Sequence, residues 1–358
     1  MKRRVHSVVF SPDGRTLATA GQEPAVRLWD VAPRRQTATL SGRSGSGTAR
    51  PSFADRRAFL TFDHDTLATY WSTGEPRSRP VPLRSPKPVT ESVASGDGKV
   101  LATGDRARTV RVWDRATGRT ILTLPKTTWN LRQLAITPDG STLAAGGTDG
   151  TVRVWDVATR RTTAFLRTAR SVTALAIRPD GRAVAFVGDS GTTRLWTIRS
   201  GQAAPPLPAP IDPSMALAFS PDGRTLAVGG NDGAVKVWDI AERRTTATLT
   251  GHTGAVLGVE FSPDGSTLAT TSTDGSVRLW NPRSARVRAT LTGRAVERIT
   301  TVRFSPDGRA LAAVGTPGTT RAWSIDADYV AERICRLSTA HRWGRLLPDQ
   351  PVRDLCPD

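Results

Sequence analysis

Cysteine is nearly absent. The 358-residue chain has two, Cys335 and Cys356, both near its C-terminal end, which excludes a disulfide-built scaffold. Histidine is also sparse: His6, His64, His252 and His341 form no H-x-H or H-E-x-x-H pattern, so no metal centre is expected. No run of about 18 apolar residues occurs, so no transmembrane helix is expected. The N-terminus, MKRRVHSVVFSPDG, has basic residues but no long apolar core, which argues against a signal peptide. A soluble cytoplasmic chain is the expectation. There is no G-x-x-x-x-G-K-[ST], no kinase motif set and no G-x-S-x-G, so neither a cofactor nor a small-molecule substrate is expected.

Lysine is scarce as well, standing only at Lys2, Lys87, Lys99, Lys126 and Lys236, so the formal charge of +18 is carried almost entirely by arginine. That bias has two readings. One is drift in a GC-rich genome, in which Arg, Ala, Gly, Pro and Thr rise together. The other is a surface that attracts acidic partners or nucleic acid. No dense Lys/Arg run of the kind that marks a basic tail is present.

What the chain has is a ruler. Trp29, Trp71, Trp113, Trp155, Trp196, Trp238, Trp280 and Trp323 follow one another at intervals of 42, 42, 42, 41, 42, 42 and 43 residues. A turn string runs in phase with them: SPDGRTLA at 11–18 and again at 220–227, with looser copies beginning at 95, 137, 178, 262 and 305. One small unit has been copied along the chain. In residues 255–291 an apolar segment leads to Ser-Pro-Asp-Gly, where Pro presets φ, Asp hydrogen-bonds local backbone and Gly accepts positive φ. A short strand follows, then a Thr-Asp-Gly turn, then SVRLW with period-two alternation, then a third turn and an edge strand, VRATL. Four short strands joined by tight turns predict an antiparallel meander. Alone, such a sheet leaves both faces apolar. Stacking copies around an axis buries them, with each in-register Trp filling the gap between neighbours.

These residues resemble the WD-repeat family. RLWDV (27–31), RVWDR (111–115), RVWDV (153–157) and KVWDI (236–240) are similar to the family's terminal Trp-Asp, and TGHTG (250–254) to its Gly-His. The resemblance covers about residues 1–325 and implies an all-β propeller of radial blades. The units run over about 5–40, 48–83, 89–124, 130–166, 171–207, 214–249, 255–291 and 299–325. Eight blades are the expectation, with a seven-membered ring and one displaced unit as the alternative. In the family a buried network joins the His, a strand hydroxyl, the turn Asp and the Trp. Unit seven alone has the full set, His252, Thr270 or Ser272, Asp274 and Trp280, so the other units are expected to hold by packing. The second unit lacks the turn string, but Asp55 and Trp71 keep phase.

After Trp323 the pattern changes. Residues 326–358 read as a helical tail: Tyr329, Val330, Ile334 and Leu337 recur at helical spacing, with Asp326 as N-cap. The eighth unit is therefore expected to have three strands, unless a strand upstream of Met1 completes it. The tail resembles those on WD-repeat regions of large bacterial signalling proteins. It is expected to latch onto the last blade, bringing Cys335 and Cys356 close. A reducing compartment favours thiols there over a disulfide.

Catalysis finds no converging groups. The turn aspartates, Asp13, Asp55, Asp97, Asp139, Asp180, Asp222, Asp264 and Asp307, sit each in its own turn rather than around a shared ion. Binding is the stronger expectation: a non-enzymatic protein-interaction scaffold or sensor, with partners docking on the face that carries the loops between units. Arg43, Arg84, Arg167, Arg170, Arg294 and Arg298 lie in or beside those loops, and Trp129 is there outside the Trp register. Arg and Trp dominate interaction hot spots, and arginine suits an acidic or phosphorylated partner. Sequence-independent nucleic-acid binding is the alternative, weakened by the lack of aromatics interleaved with basic stretches.

Overall fold

The computed structural model describes the chain between Val5 and Ile325; residues 1–4, 12–14, 22–24, 32–34, 42–51, 56–57, 63–66, 73–82, 85–86, 88, 97, 115–116, 125–129, 168–170, 189–190, 199–201, 204–206, 208–215, 293–297, 317–318 and 326–358 lie outside the described residues. In the first two units side chains are described only at Val8, Phe10, Ser11, 15–19 and 29–31. The tail expected to be helical, with Cys335 and Cys356, therefore lies outside the described residues.

Among the described residues the chain is all strand and turn, in eight antiparallel sheets whose strands follow chain order. Seven have four strands. The eighth has three, Arg298–Phe304, Ala310–Thr316 and Thr319–Ser324. In the seventh the strands are Val256–Phe261, Leu268–Ser272, Ser276–Trp280 and Val287–Thr292. The first strand of each sheet packs on the first strand of the next, from the first sheet through to the eighth and back to the first.

The repeated string explains itself in the turn it makes. In unit six the Ser220 carbonyl accepts the Gly223 N–H at 2.9 Å, and Gly223 has φ 68°. The Ser220 hydroxyl accepts the Thr225 N–H at 2.9 Å and donates to Asp222 Oδ1 at 2.6 Å. Asp222 Oδ1 also accepts the Arg224 N–H at 3.0 Å. The Ser220 hydroxyl and the Arg224 amide together hold the Asp222 carboxyl below the usual range, against its own partial burial. Ser, Asp and Gly of Ser-Pro-Asp-Gly thus close the turn locally, tying it to the start of the second strand. Only φ > 0 fits its last position, and Gly98, Gly140, Gly181, Gly265 and Gly308 repeat it at 68° to 73°.

Packing between sheets is asymmetric. Among the described residues, sheets four to seven turn their Trp toward the preceding one. Trp155 meets Ala102, Val110, Val112 and Leu122 of unit three. Trp196 meets Val152, Val154 and Ala164 of unit four, Trp238 meets Leu195 and Leu207 of unit five, and Trp280 meets Val235, Val237 and Leu249 of unit six. One face supplies the large knob, the other the small and β-branched residues that receive it. Trp196, Trp238 and Trp280 are each 1% exposed, and burying an indole of about 150–250 Å² stabilises by up to about 4–6 kcal/mol.

The ring closes by the same device. Val8, Phe10 and Leu17 of the first sheet pack on Ala310, Ala312 and Val314 of the eighth, with Trp29 at the edge of the cluster. The two sheets remain separate. Closure therefore rests on apolar contact, with no backbone ladder across this seam among the described residues.

Candidate interaction face

Strand direction sorts the turns onto two faces. Every first strand runs from a linker loop toward its Ser-Pro-Asp-Gly turn, and the second strand returns. The linkers and the second turns therefore share one face, the linker face, and the first and third turns share the other.

Unit seven shows how the linker face is fastened. His252, in the loop entering the unit, is fully buried at its side chain. Its Nδ1 lies 2.8 Å from Asp274 Oδ2, in the second turn, and its Nε2 lies 2.7 Å from Thr270 Oγ1, on the second strand. Trp280 Nε1 donates to the same Thr270 Oγ1 at 2.8 Å. A carboxylate only accepts, so His252 carries its proton on Nδ1. Nε2 then accepts the Thr270 hydroxyl proton, and the Thr270 oxygen accepts the indole N–H. Asp274 Oδ2 also takes the Thr253 N–H at 3.1 Å, and Oδ1 takes the Ser276 N–H at 2.8 Å and its hydroxyl at 2.7 Å. Burial would raise the Asp274 carboxyl, but Ser276 and His252 outweigh it and hold it at about 2.

An acid, an imidazole and a hydroxyl in line have the connectivity of a nucleophilic triad. Here Thr270 is 0% exposed and its oxygen already holds the indole proton, so no substrate reaches it. The network is a clasp between linker, turn and core.

The clasp is partly kept elsewhere, which corrects the expectation that the other units hold by packing alone. Trp29 Nε1 donates to Thr19 Oγ1 at 3.0 Å and Trp113 Nε1 to Thr103 Oγ1 at 2.8 Å. In each case the Thr stands ten residues before the Trp. That position is Phe186 in unit five and Val228 in unit six, and the buried Trp196 and Trp238 N–H groups have no partner there.

Burial also pushes His252 down, with Asp274 opposing. The folded state therefore holds the ring neutral where the unfolded chain, with an imidazole near 6.5, takes up a proton. This contribution to stability is present above about pH 6.5 and lost as pH falls below it. The Asp274 contribution is lost later, as pH falls from the ordinary carboxylate value of 3.8 toward 2. Urea midpoints measured at pH 8, 6 and 5 should fall with pH, and the part of the decline between 8 and 5 should shrink in His252→Gln.

The sequence-derived docking residues fall unevenly. Arg167, at the end of the strand Arg161–Arg167, and Arg298, at the start of Arg298–Phe304, are exposed on the linker face. Arg84 ends the two-residue strand Leu83–Arg84. Arg43, Trp129, Arg170 and Arg294 lie outside the described residues. The structural tryptophans Trp113 and Trp155 are buried, Trp29 and Trp323 half-buried, and Trp71 ends one residue short of its strand Leu67–Ser72. Exposed Arg106, Arg108 and Arg132 also stand on the linker face; sequence reasoning passed over them because they lie in a turn and a strand rather than a linker. Among the described carboxylates of that face, Asp149 takes the Thr151 N–H at 3.0 Å and Asp232 the Ala234 N–H at 2.9 Å. Among the described residues only Phe165 and Val287 are large exposed hydrophobics, and Arg153 covers the Phe165 ring at 5.1 Å. Among those residues no three His, Cys, Asp or Glu group to hold a metal ion, and no helix is long and apolar enough to cross a membrane.

Compared with known proteins, the sequence matches the family "WD domain, G-beta repeat" over residues 2–30, 83–114, 118–156, 212–239, 243–281 and 286–324. The stretches left between contain the first three strands of the second sheet and the whole of the fifth, whose outer strand, Gln202–Ala203, has two residues. The chain is similar to cell division cycle 20.1, cofactor of APC complex, of Arabidopsis thaliana, with 32% identity over 124 residues, covering 32% of this chain and 25% of the relative. It is also similar to protein tipD of Dictyostelium discoideum, with 29% identity over 114 residues, covering 32% of this chain and 18% of the relative. The matched region is thus a quarter or less of those relatives' length. Among solved structures, the computationally designed Ika8 protein aligns with a TM-score of 0.77 at 20% identity, over 91% of this chain and 97% of that one.

Proposed function

The chain belongs to the WD40 family of G-beta repeats, and from that membership we propose that it is a protein-interaction scaffold, without chemistry of its own, whose partners dock on the linker face. WD40 repeats serve protein binding, and the Arabidopsis relative is named as the cofactor of a complex. What supports this face is that it carries the loops joining one unit to the next, where propellers usually meet their partners, and that Arg106, Arg108, Arg132, Arg167 and Arg298 are exposed there, with Asp149 and Asp232 capping their own turns. Among the described residues little apolar area is exposed, which suits polar recognition. That favours acidic or phosphorylated partners, selected through on-rate and specificity, and a role within a signalling or regulatory assembly.

The test compares partner recovery by the full chain with that by a variant carrying Trp129→Ala, Arg167→Ala, Arg170→Ala and Arg298→Ala. Recovery should fall at least tenfold; equal recovery rejects the linker face. Nucleic-acid binding is the rival reading, supported by the net charge of +18. It requires affinity for duplex DNA that falls log-linearly with salt.

A further inference from the structure

Eight copies of one unit provide an internal standard: a residue that departs from what its sister positions need, at a structural cost, has another reason to be there. Two such departures meet at the seam between units three and four. The last residue of the second turn is glycine in units four to seven, Gly150, Gly191, Gly233 and Gly275, with φ between 72° and 81°. Unit three has Arg108 there, at φ 63°, a backbone region that burdens any residue with a Cβ.

The turn is rebuilt to permit this. Asp149, Asp232 and Asp274 cap the residue two positions on. Ala107 occupies that place in unit three, and the buried Asp105 does the work instead, accepting the Thr109 N–H at 3.0 Å and pairing with Arg111 Nη1 at 2.5 Å. The acid points inward, and Arg106 and Arg108 are left exposed. Arg108 Nε then reaches across the seam to Asn130 Oδ1 at 3.1 Å. Asn130 is itself fixed, its carbonyl taking the Thr148 N–H at 3.0 Å.

The second departure is Arg132, two residues beyond Asn130. It is the extra residue of a β-bulge in the first strand of unit four. The sister bulges of units three, five and eight carry Thr90, Thr173 and Thr300, whose hydroxyls close back on their own sheets, donating to the Gly104, Val187 and Val314 carbonyls at 3.2, 3.1 and 3.2 Å, and those of units one and seven carry His6 and Leu257. Arg132 has no hydroxyl to close the bulge and is exposed. Bulges commonly re-aim a side chain at a functional site.

We propose that Arg106 and Arg108, in the second turn of unit three, and Arg132, two residues beyond the Asn130 that Arg108 bonds, form a recognition site for a phosphorylated serine or threonine of a partner protein. Three guanidinium forks match the three terminal oxygens and near-double charge of a phosphate monoester better than a carboxylate's two oxygens. The inference rests on the reading that the linker face docks proteins, and names the chemistry it selects.

The test uses the chain's own alternatives as variants. Arg108→Gly and Arg132→Thr install the sister residues, so the fold should be kept, with a Tm no lower than that of the parent. Fluorescence anisotropy is measured on the full chain with degenerate peptide pools carrying a fixed central phosphothreonine, the same pools with threonine or glutamate, and a mixed-sequence DNA duplex. The phosphothreonine pool should bind at least tenfold tighter than either peptide control, and each variant should lose about tenfold. Equal binding of the three pools, unaltered binding by both variants, or duplex binding as tight as the phosphopeptides overturns the proposal. If it falls while linker-face substitutions still abolish partner recovery, the docking reading stands and only its phosphate chemistry is wrong.

Discussion

Thr270→Val should lower the free energy of unfolding by about 3–4 kcal/mol, read from chemical denaturation with an unchanged m-value. Valine keeps the shape of threonine, so packing is preserved. The hydroxyl, however, serves two buried groups at once, accepting the Trp280 N–H at 2.8 Å and donating to His252 Nε2 at 2.7 Å. Its loss strands both, and an unpaired buried polar group costs about 1–3 kcal/mol. Thr103→Val is the internal comparison. Thr103 holds the Trp113 N–H with no histidine beside it, so its loss should cost about 1–2 kcal/mol. The difference between the two isolates what the imidazole adds. Equal losses would mean that His252 is held by Asp274 and indifferent to its second partner.

Phe10→Ala should cost about 3–5 kcal/mol, the usual range for removing a buried phenyl ring, and should do so in a characteristic place. Phe10 is 4% exposed and lies against Ala310, Ala312 and Val314. Among the described residues that seam has no shared ladder to fall back on. Amide exchange should therefore quicken first in the first and eighth sheets, while the core of units four to seven stays protected. A uniform loss of protection would show that the ring opens cooperatively rather than at this seam.

Much of this was readable from residue types at fixed offsets. The Trp interval locates the seams because a large side chain repeated at the same strand position has one place to go. The turn string is legible because its four residues satisfy one another locally. The unit-seven clasp could be named because the resemblance to WD repeats implies such a network and unit seven alone has every member. Other features were missed for physical reasons. The Thr–Trp pairs of units one and three lack the histidine that draws attention, although a Thr ten residues before the Trp is signal enough. The strained Arg108 is invisible until the second turns are superposed, since arginine in a loop is unremarkable by itself. Arg132 depends on a bulge, which one sequence does not announce. The Glu260–Arg303 ion pair at 2.6 Å joins units seven and eight, with Glu260 also taking the Phe304 N–H at 3.0 Å. It required knowing which strands are innermost.

That the eighth sheet has three strands among the described residues has a consequence for circular permutation. Ser324 ends at the face of the first and third turns, whereas Val5 begins at the linker face. Six extended residues separate those heights, roughly 20 Å. A flexible glycine-serine tether joining the two positions would have to climb the outside of the sheet. A tether of alternating β-branched residues could instead lie down beside Thr319–Ser324 as a fourth strand, and permutants built that way should outlast the flexible ones on heating.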